Sequence, residues 1–119
     1  MTTKKDTVFC DIDGTILKYR PFGEYSLSNS QPTPGSVQKL QQWSEKGHII
    51  ILTTARPEAM RNFTVQELMA NGILFDQLVM GVGRGKRYLV NDNSPKEPGV
   101  DRAIACSLVR DDGLIGVDI

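Results

Sequence analysis

Two short apolar runs stand out along the chain, and a segment with helical periodicity separates them. Residues 8–10 and 48–53 have the continuous apolar composition of strands in a parallel sheet. Between these runs, Val37, Leu40 and Trp43 recur at the spacing of one helix face. This alternation predicts an α/β fold with right-handed crossovers, and it places Trp43 in the core.

Turn-forming residues set the expected helix boundaries. Thr33 is the predicted N-cap of the first helix, with Pro34 in its first turn and Gly47 at its end. The second helix is predicted from Pro57 to the Asn-Gly pair at 71–72. Both helices therefore fit between the predicted strands as crossover helices.

The C-terminal part of the sequence contains more strand-like runs than helical ones. Further strands are predicted at 77–80, 87–90 and 103–109. Because helices become sparse in this part, we expect one face of the sheet to be incompletely covered, which would favour self-association. Cys10 and Cys106 both lie in predicted strands, so two buried thiols are expected rather than a disulfide.

Length and charge restrict the functional class. The 119 residues predict a single domain, 1–119. The chain carries 14 basic and 14 acidic residues, so nothing in its charge favours nucleic acid or a membrane surface as a partner. It also has no apolar stretch of about 18 residues and no signal-like N-terminus. We therefore expect a cytoplasmic protein.

Two aspartates follow the first strand, and they are the strongest chemical feature of the sequence. Asp11 and Asp13 would lie at the carboxyl end of a parallel strand, where α/β sheets bind ligands, and Gly14 then allows a turn. Two neighbouring carboxylates need a cation, a shared proton or solvent, and Mg²⁺ prefers such oxygen ligands. A bare Asp-x-Asp is also typical of an ordinary turn.

The segment after the acid pair is long and irregular. Residues 14–33 lack a sustained period and contain Pro21, Gly23, Asn29 and Pro32. Long irregular segments inside compact domains are often functional. We interpret 14–33 as a flap over the acid pair.

The full motif Asp11-Ile12-Asp13-Gly14-Thr15 after an apolar strand resembles the first motif of the haloacid dehalogenase (HAD) superfamily. The resemblance extends from Thr7 to about Val109 and implies a three-layer Rossmann-like parallel sheet with flanking helices. The chain has no room for a cap domain, so a minimal, capless member is expected. The resemblance implies that Asp11 is the nucleophile and that Asp13 is the general acid and base.

The second HAD motif, a Thr or Ser that ends the second strand, is matched by the run at 52–57. The resemblance implies that Thr54 binds the phosphoryl oxygens, with Thr53 as the competitor. Thr54 could equally act as the N-cap of the second helix. Arg56 is the next candidate, either as a phosphate ligand or as the partner of an acid.

The third motif, a Lys or Arg that neutralises nucleophile and phosphate, is ambiguous. Arg84, Lys86 and Arg87 compete for the role. Lys86 is preferred, followed by Arg84. Any one of the three could instead be a solvated surface charge.

The fourth motif places one or two acids after the fourth strand. Asp92 matches the metal-binding acid, so the resemblance implies Mg²⁺ bound by the Asp11 side chain, the Asp13 backbone carbonyl and Asp92. Asn91 departs from the paired-acid form, which reduces the local negative charge. Asn and Asp in succession are also typical of a turn.

Together these patterns predict a Mg²⁺-dependent phosphomonoester hydrolase that forms an aspartyl-phosphate. The stretches 52–57 and 88–92 are similar to small HAD proteins associated with surface-polysaccharide sugar metabolism, so the expected substrate is a small phosphorylated metabolite such as a sugar phosphate. One alternative is a non-enzymatic HAD-like module that binds a phosphorylated ligand or a partner. Another is a glycosyltransferase that uses Asp-x-Asp for a metal–nucleotide complex, but the short chain argues against it.

Overall fold

The computed structural model describes residues 5–119 and contains a parallel three-stranded sheet with two α-helices. The elements in chain order are β1 (Thr7–Asp11), a 3₁₀ helix (Phe22–Glu24), α1 (Ser36–Glu45), β2 (Ile49–Thr53), a second 3₁₀ helix (Glu58–Met60), α2 (Arg61–Ala70) and β3 (Gln77–Val79). The strand order is β1-β2-β3. The predicted α/β fold with a parallel sheet and flanking helices is confirmed.

The core lies on one side of the sheet. Cys10 of β1 is opposite Leu52 of β2, which is opposite Leu78 of β3, so these side chains share a face. The connections from β1 to β2 and from β2 to β3 run in the same direction along the sheet. Because such connections are right-handed, both helices lie on the face that carries Cys10, Leu52 and Leu78. The core consists of Cys10, Ile12, Ile16, Leu17, Leu40, Trp43, Ile50, Leu52, Leu68, Ile73, Leu78, Leu114 and Val117.

The opposite face of the sheet, which we call the bare face, carries exposed apolar side chains. Phe9 is 55% exposed, and Ile49 and Val79 are also exposed. The expectation of an incompletely covered sheet is confirmed. None of the helices in the described part of the chain is long and apolar enough to cross a membrane.

The strands predicted at 87–90 and 103–109 are wrong, because residues 80–119 contain no helix or strand. Within residues 5–119, β1 is therefore an edge strand rather than a central one, and the layer expected on the bare face is not formed. Apolar residues favour a strand only where a neighbouring strand accepts the ladder hydrogen bonds. Cys10 is buried as predicted, but Cys106 is exposed, so its predicted burial is wrong.

The start of α1 also differs from the prediction. The N-cap position is Gly35, and the predicted cap Thr33 lies two residues earlier. The Thr33 hydroxyl instead donates to the carbonyl of Thr15 at 2.7 Å and lies 2.5 Å from the Ser36 hydroxyl. Thr33 therefore joins the end of the 14–33 segment to its beginning.

The C-terminal segment completes the core beneath the start of α1. Leu114 and Val117 are buried, and the Ile115 N–H donates to the carbonyl of Pro34 at 3.2 Å. The backbone passes close to Pro34 at Gly113, which has φ +80°. A Cβ at Gly113 would lie 2.2 Å from the Pro34 carbonyl oxygen. This position therefore requires glycine for both its backbone conformation and its space.

We expect Gly113→Ala to lower the free energy of unfolding by about 1–3 kcal/mol, because it adds backbone strain and a steric clash. Urea denaturation followed by Trp43 fluorescence measures the change. Gly23→Ala is the matched control, since nothing lies within 4 Å of a Cβ at Gly23. Equal stability of the Gly113 variant and the native chain would contradict the proposed close contact.

Candidate functional site

The acid pair lies at the carboxyl end of β1 and opens a tight turn. Gly14 has φ +85°, and the carbonyl of Ile12 accepts backbone hydrogen bonds from Thr15 and the two following residues. This turn brings the Thr15 hydroxyl to Asp11, where it donates to Oδ2 at 3.0 Å. The turn that follows β1 therefore holds one oxygen of the Asp11 carboxylate through Thr15.

Asp13 is bound by a buried arginine from the loop after β2. Arg56 is 2% exposed and donates from Nε to Asp13 Oδ2 at 2.8 Å and from Nη2 to Asp13 Oδ1 at 2.7 Å. The same guanidinium bonds Glu67 at 2.8 Å and Thr64 at 3.1 Å. Burial opposes its charge, but hydrogen bonds and attraction to Asp13 and Glu67 outweigh burial and raise the pKa of Arg56.

The flap residue Tyr25 connects this ion pair to a second arginine. The guanidinium carbons of Arg56 and Arg20 lie 4.5 and 4.9 Å from the centre of its ring, and its hydroxyl donates to Asp13 Oδ2 at 3.1 Å. Arg20 in turn bonds Glu67 at 2.7 Å. Burial, followed by the charge of Asp13, raises the pKa of Tyr25. The 14–33 segment thus closes one side of the acid pair.

Arg87 is the cation that reaches Asp11. Its Nη1 lies 3.0 Å from Asp11 Oδ1, and both side chains are partly exposed. Arg84 lies 5.9 Å from the ring centre of Phe22 in the flap, and Lys86 is exposed to solvent. Of the three cations in this loop, the structure pairs Arg87 with the predicted nucleophile, whereas the sequence favoured Lys86.

Thr54 is buried beneath the site, and its side chain bonds to the backbone of the loop after β2 that carries Arg56. Its hydroxyl accepts a hydrogen bond from the Arg56 N–H at 3.1 Å. The N-cap position of α2 is Met60, so Thr54 does not cap that helix. Its neighbour Thr53 ends β2 directly opposite Asp11. In this arrangement Thr54 orients the turn that carries Arg56.

The structure does not bring Asp92 to the acid pair. Asp92 is exposed and forms an ion pair with Arg102, whose carbonyl accepts a hydrogen bond from Asn91. Across residues 5–119, no group of three His, Cys, Asp or Glu side chains is placed to hold a metal ion. The Arg87 guanidinium also occupies one oxygen of Asp11. This arrangement does not fit the Mg²⁺ site that the HAD pattern implies.

Cys10 is a neighbouring group that the site does not use. Burial, followed by the charge of Asp11, raises the pKa of the Cys10 thiol to about 12. Its Sγ donates only to the carbonyl of Asp11, at 3.4 Å. A thiol in this environment stays protonated and inert near neutral pH.

A shallow pocket of about 210 Å³ opens beside the flap. Its lining is mainly aromatic and apolar and consists of Phe22, Tyr25, Ser26, Met60 and Phe63. Tyr25 belongs both to this pocket and to the hydrogen-bonded surroundings of Asp13. A ligand in the pocket would therefore lie beside the acid pair.

Comparison with known proteins identifies the family. The family model described as "PITM 1-3, LNS2 domain" matches residues 8–93. The chain belongs to the LNS2-domain family. The LNS2 domain has a HAD-like phosphatase fold, so the HAD resemblance is supported at this general level. A search of curated proteins found no match.

A solved structure supports the same fold for this LNS2 domain. The domain is similar to a chain in "Structure of Pnkp1/Rnl/Hen1 complex", with a TM-score of 0.57 and 24% sequence identity. The match covers 71% of this chain and 30% of the solved chain. The likeness is one of fold, and this LNS2 domain spans less than a third of that protein.

Sequence reasoning missed several members of the site. Tyr25 and Arg20 lie in an irregular segment with no pattern that singles them out, and Glu67 lies in a predicted helix with no motif around it. Glu67 lies among apolar residues of α2, where a buried acid gives no local signal. A buried carboxylate requires a cation nearby, but only the structure shows that Arg20 and Arg56 both supply it.

We expect Arg56→Met to lower the free energy of unfolding by about 3–5 kcal/mol, because it leaves Asp13 and Glu67 buried without their shared cation. Chemical denaturation measures the loss, and failure to fold would agree with it. Glu58→Gln is the control, since it breaks only the exposed Glu58–Arg61 pair and leaves the Arg61 hydrogen bond to the Leu78 carbonyl in place. Equal effects of the two substitutions would refute a structural role for the buried pair.

Proposed function

We propose that this LNS2 domain is a phosphomonoester hydrolase in which Asp11 is the nucleophile. The observation that supports this most directly is the environment of Asp11. The carboxylate lies at the carboxyl end of β1, held on one oxygen by Thr15 and paired on the other with the partly exposed Arg87. The exposed side is open to a phosphate group, and Arg87 is a suitable partner for a phosphate dianion.

The chemistry of this proposal uses groups that the chain itself positions. Asp11 Oδ1 attacks phosphorus, the bond to the leaving oxygen breaks, and water later cleaves the aspartyl-phosphate. Arg87 exchanges its carboxylate partner for the phosphoryl oxygens and stabilises their charge. Asp13 is the proposed proton donor and acceptor, and it must leave its two hydrogen bonds to Arg56 to take that role.

The proposed substrate is a small phosphate monoester such as a sugar phosphate. The pocket beside Tyr25 is small and lined mainly by aromatic and apolar groups, which suits the apolar face of a compact organic group. Arg84, above Phe22, and Lys86 are proposed as additional phosphate-binding cations at the exposed entrance. We propose that Thr54 acts indirectly, by holding the turn that carries Arg56.

Phosphate release from a panel of phosphate monoesters, with and without Mg²⁺, tests this function. Native protein should release phosphate, and Asp11→Asn should lose at least about 10³-fold in kcat/KM, because the variant lacks the nucleophile. Asp118→Asn, a change at an exposed aspartate, is the control. Full activity in Asp11→Asn would disprove the assignment of the nucleophile.

HAD-like phosphatases usually use Mg²⁺, but the described side chains do not form the site that the HAD pattern implies, so we propose a reaction that relies on Arg87 for positive charge. To bind the ion, the Asp11 carboxylate would have to exchange Arg87 for Mg²⁺. When bound, Mg²⁺ would supply positive charge to the phosphoryl oxygens.

If Mg²⁺ binds at Asp11, Arg87 competes with it. Arg87→Met should then strengthen Mg²⁺ binding by up to about fivefold, because it removes an exposed ion pair of at most about 1 kcal/mol. Isothermal titration calorimetry measures the affinity, and Arg61→Met controls for the loss of one positive charge elsewhere. Unchanged affinity in Arg87→Met would show that the ion does not use Asp11.

One observation favours a second candidate, a non-enzymatic module that binds a phosphorylated ligand. Asp13 accepts three hydrogen bonds, two from Arg56 and one from Tyr25, so both of its oxygens are already occupied. The same panel of phosphate monoesters, tested for binding as well as for phosphate release, separates the two candidates. Phosphate binding without turnover in native protein would favour the binding module.

A further inference from the structure

A second pocket continues the one beside the flap, and the two together form a groove between the flap and α2. The second pocket has a volume of about 470 Å³. Tyr25, Ser26 and Phe63 line both pockets, so the two are continuous. Small-ligand pockets typically measure about 300–1,000 Å³, and the pocket beside the flap is smaller than this range by itself. We call the continuous surface from Phe22 to Asn71 the flap groove.

The flap groove has an aromatic half and a polar half. The aromatic half presents Phe22, Tyr25 and Phe63, and the Tyr25 hydroxyl joins it to Asp13. From Phe63 to Ala70, α2 extends along the groove for about 10 Å at the ordinary helical rise. The polar half is lined by neutral hydroxyl and amide side chains, those of Ser28, Asn29, Ser30, Gln66 and Asn71.

The walls of the flap groove are held together by the protein itself. The buried Arg20 donates to the Ser28 carbonyl of the flap at 3.1 Å and to Glu67 Oε2 of α2 at 2.7 Å. At the far end, the Asn71 amide donates to the Ser30 hydroxyl at 2.7 Å. A ligand therefore finds both walls already in place and does not pay the entropy of ordering the flap.

Several polar side chains of the groove are available to a ligand. Within residues 5–119, the side chains of Ser26, Asn29 and Gln66 have no hydrogen-bond partner in the protein, and all three are exposed. A hydroxyl group both donates and accepts hydrogen bonds, so it can replace water at a serine or at a side-chain amide. The polar half therefore suits a ligand that carries several hydroxyl groups.

The charge of the groove favours a neutral chain over a nucleic acid. Among the described residues, those that line the groove include no lysine or arginine, and their acid Glu67 is paired with Arg20 and Arg56. A nucleic acid carries a charge at every phosphate and requires basic side chains along its path. A sugar chain carries hydroxyl groups without charge, and its rings have apolar faces that pack against aromatic side chains.

We propose that the flap groove determines specificity and that the substrate is a phosphorylated oligosaccharide of at least two units. The sugar that carries the phosphate packs against Tyr25 and Phe63. The next sugar occupies the polar half, where Asn29 and Gln66 bind its hydroxyl groups. This inference rests on the proposed phosphatase function, in which the phosphate is presented to Asp11, and it extends the substrate beyond a single sugar phosphate.

Phosphate release from matched pairs of monosaccharide and disaccharide phosphates tests the substrate class. In the best pair, the disaccharide phosphate should have a kcat/KM at least about tenfold higher, because the second sugar adds a few hydrogen bonds. A dinucleotide with a terminal phosphate tests the nucleic-acid alternative. If no pair shows this preference, or if the dinucleotide is the best substrate, the proposal is wrong.

A substitution that fills the polar half tests the location of the second sugar. Ala70 lines this half, and Ala70→Trp should raise the KM for the disaccharide phosphate at least about tenfold more than the KM for the monosaccharide phosphate. Met69→Trp is the matched control, since it places the same side chain at the neighbouring position, which is 69% exposed and does not line the groove. Equal effects of the two substitutions would overturn the proposal.

Calorimetry separates a failure of this inference from a failure of the phosphatase function. If native protein releases phosphate from none of the esters, the proposed activity is wrong, and binding of the same phosphorylated pairs then tests the groove. Tighter binding of the disaccharide phosphate, lost in Ala70→Trp and kept in Met69→Trp, would support the oligosaccharide site. Equal affinities for the two members of every pair would overturn it.

Discussion

The buried ion pair between Arg56 and Asp13 connects three separate parts of the chain around the acid pair. It joins the turn after β1 to the loop after β2, and through Glu67 it reaches α2. Each of these charges would be costly to bury alone, so each keeps the others in place. Tyr25 extends the same network into the flap, which otherwise has few regular elements.

The network gives the two aspartates different environments although they are two residues apart. Asp13 faces inward, where Arg56 and Tyr25 hold both of its oxygens. Asp11 faces the rim, where Arg87 is partly exposed and able to change partners. A pair of similar carboxylates is thereby divided into one that is anchored and one that is accessible, which suits the nucleophilic role proposed for Asp11.

The sequence predicted the features that depend on local pattern. β1, β2 and both helices follow from apolar runs and periodicity, and the location of the acid pair follows from its position after a strand. Strands were predicted at 87–90 and 103–109 because strand propensity does not show whether a segment joins a neighbouring edge. The selection of Arg87 over Lys86 also required geometry, since three cations in four residues have the same local signal.

The burial of Leu114 and Val117 has a consequence for the order in which the molecule assembles. These two side chains complete a core whose other members lie between Cys10 and Leu78. The contacts that they make span most of the sequence, and contacts of this kind form late and slow folding. Until residues 114–117 have been synthesised, the sheet and helices have an open core, and exposed apolar surface of this kind favours aggregation of the nascent chain.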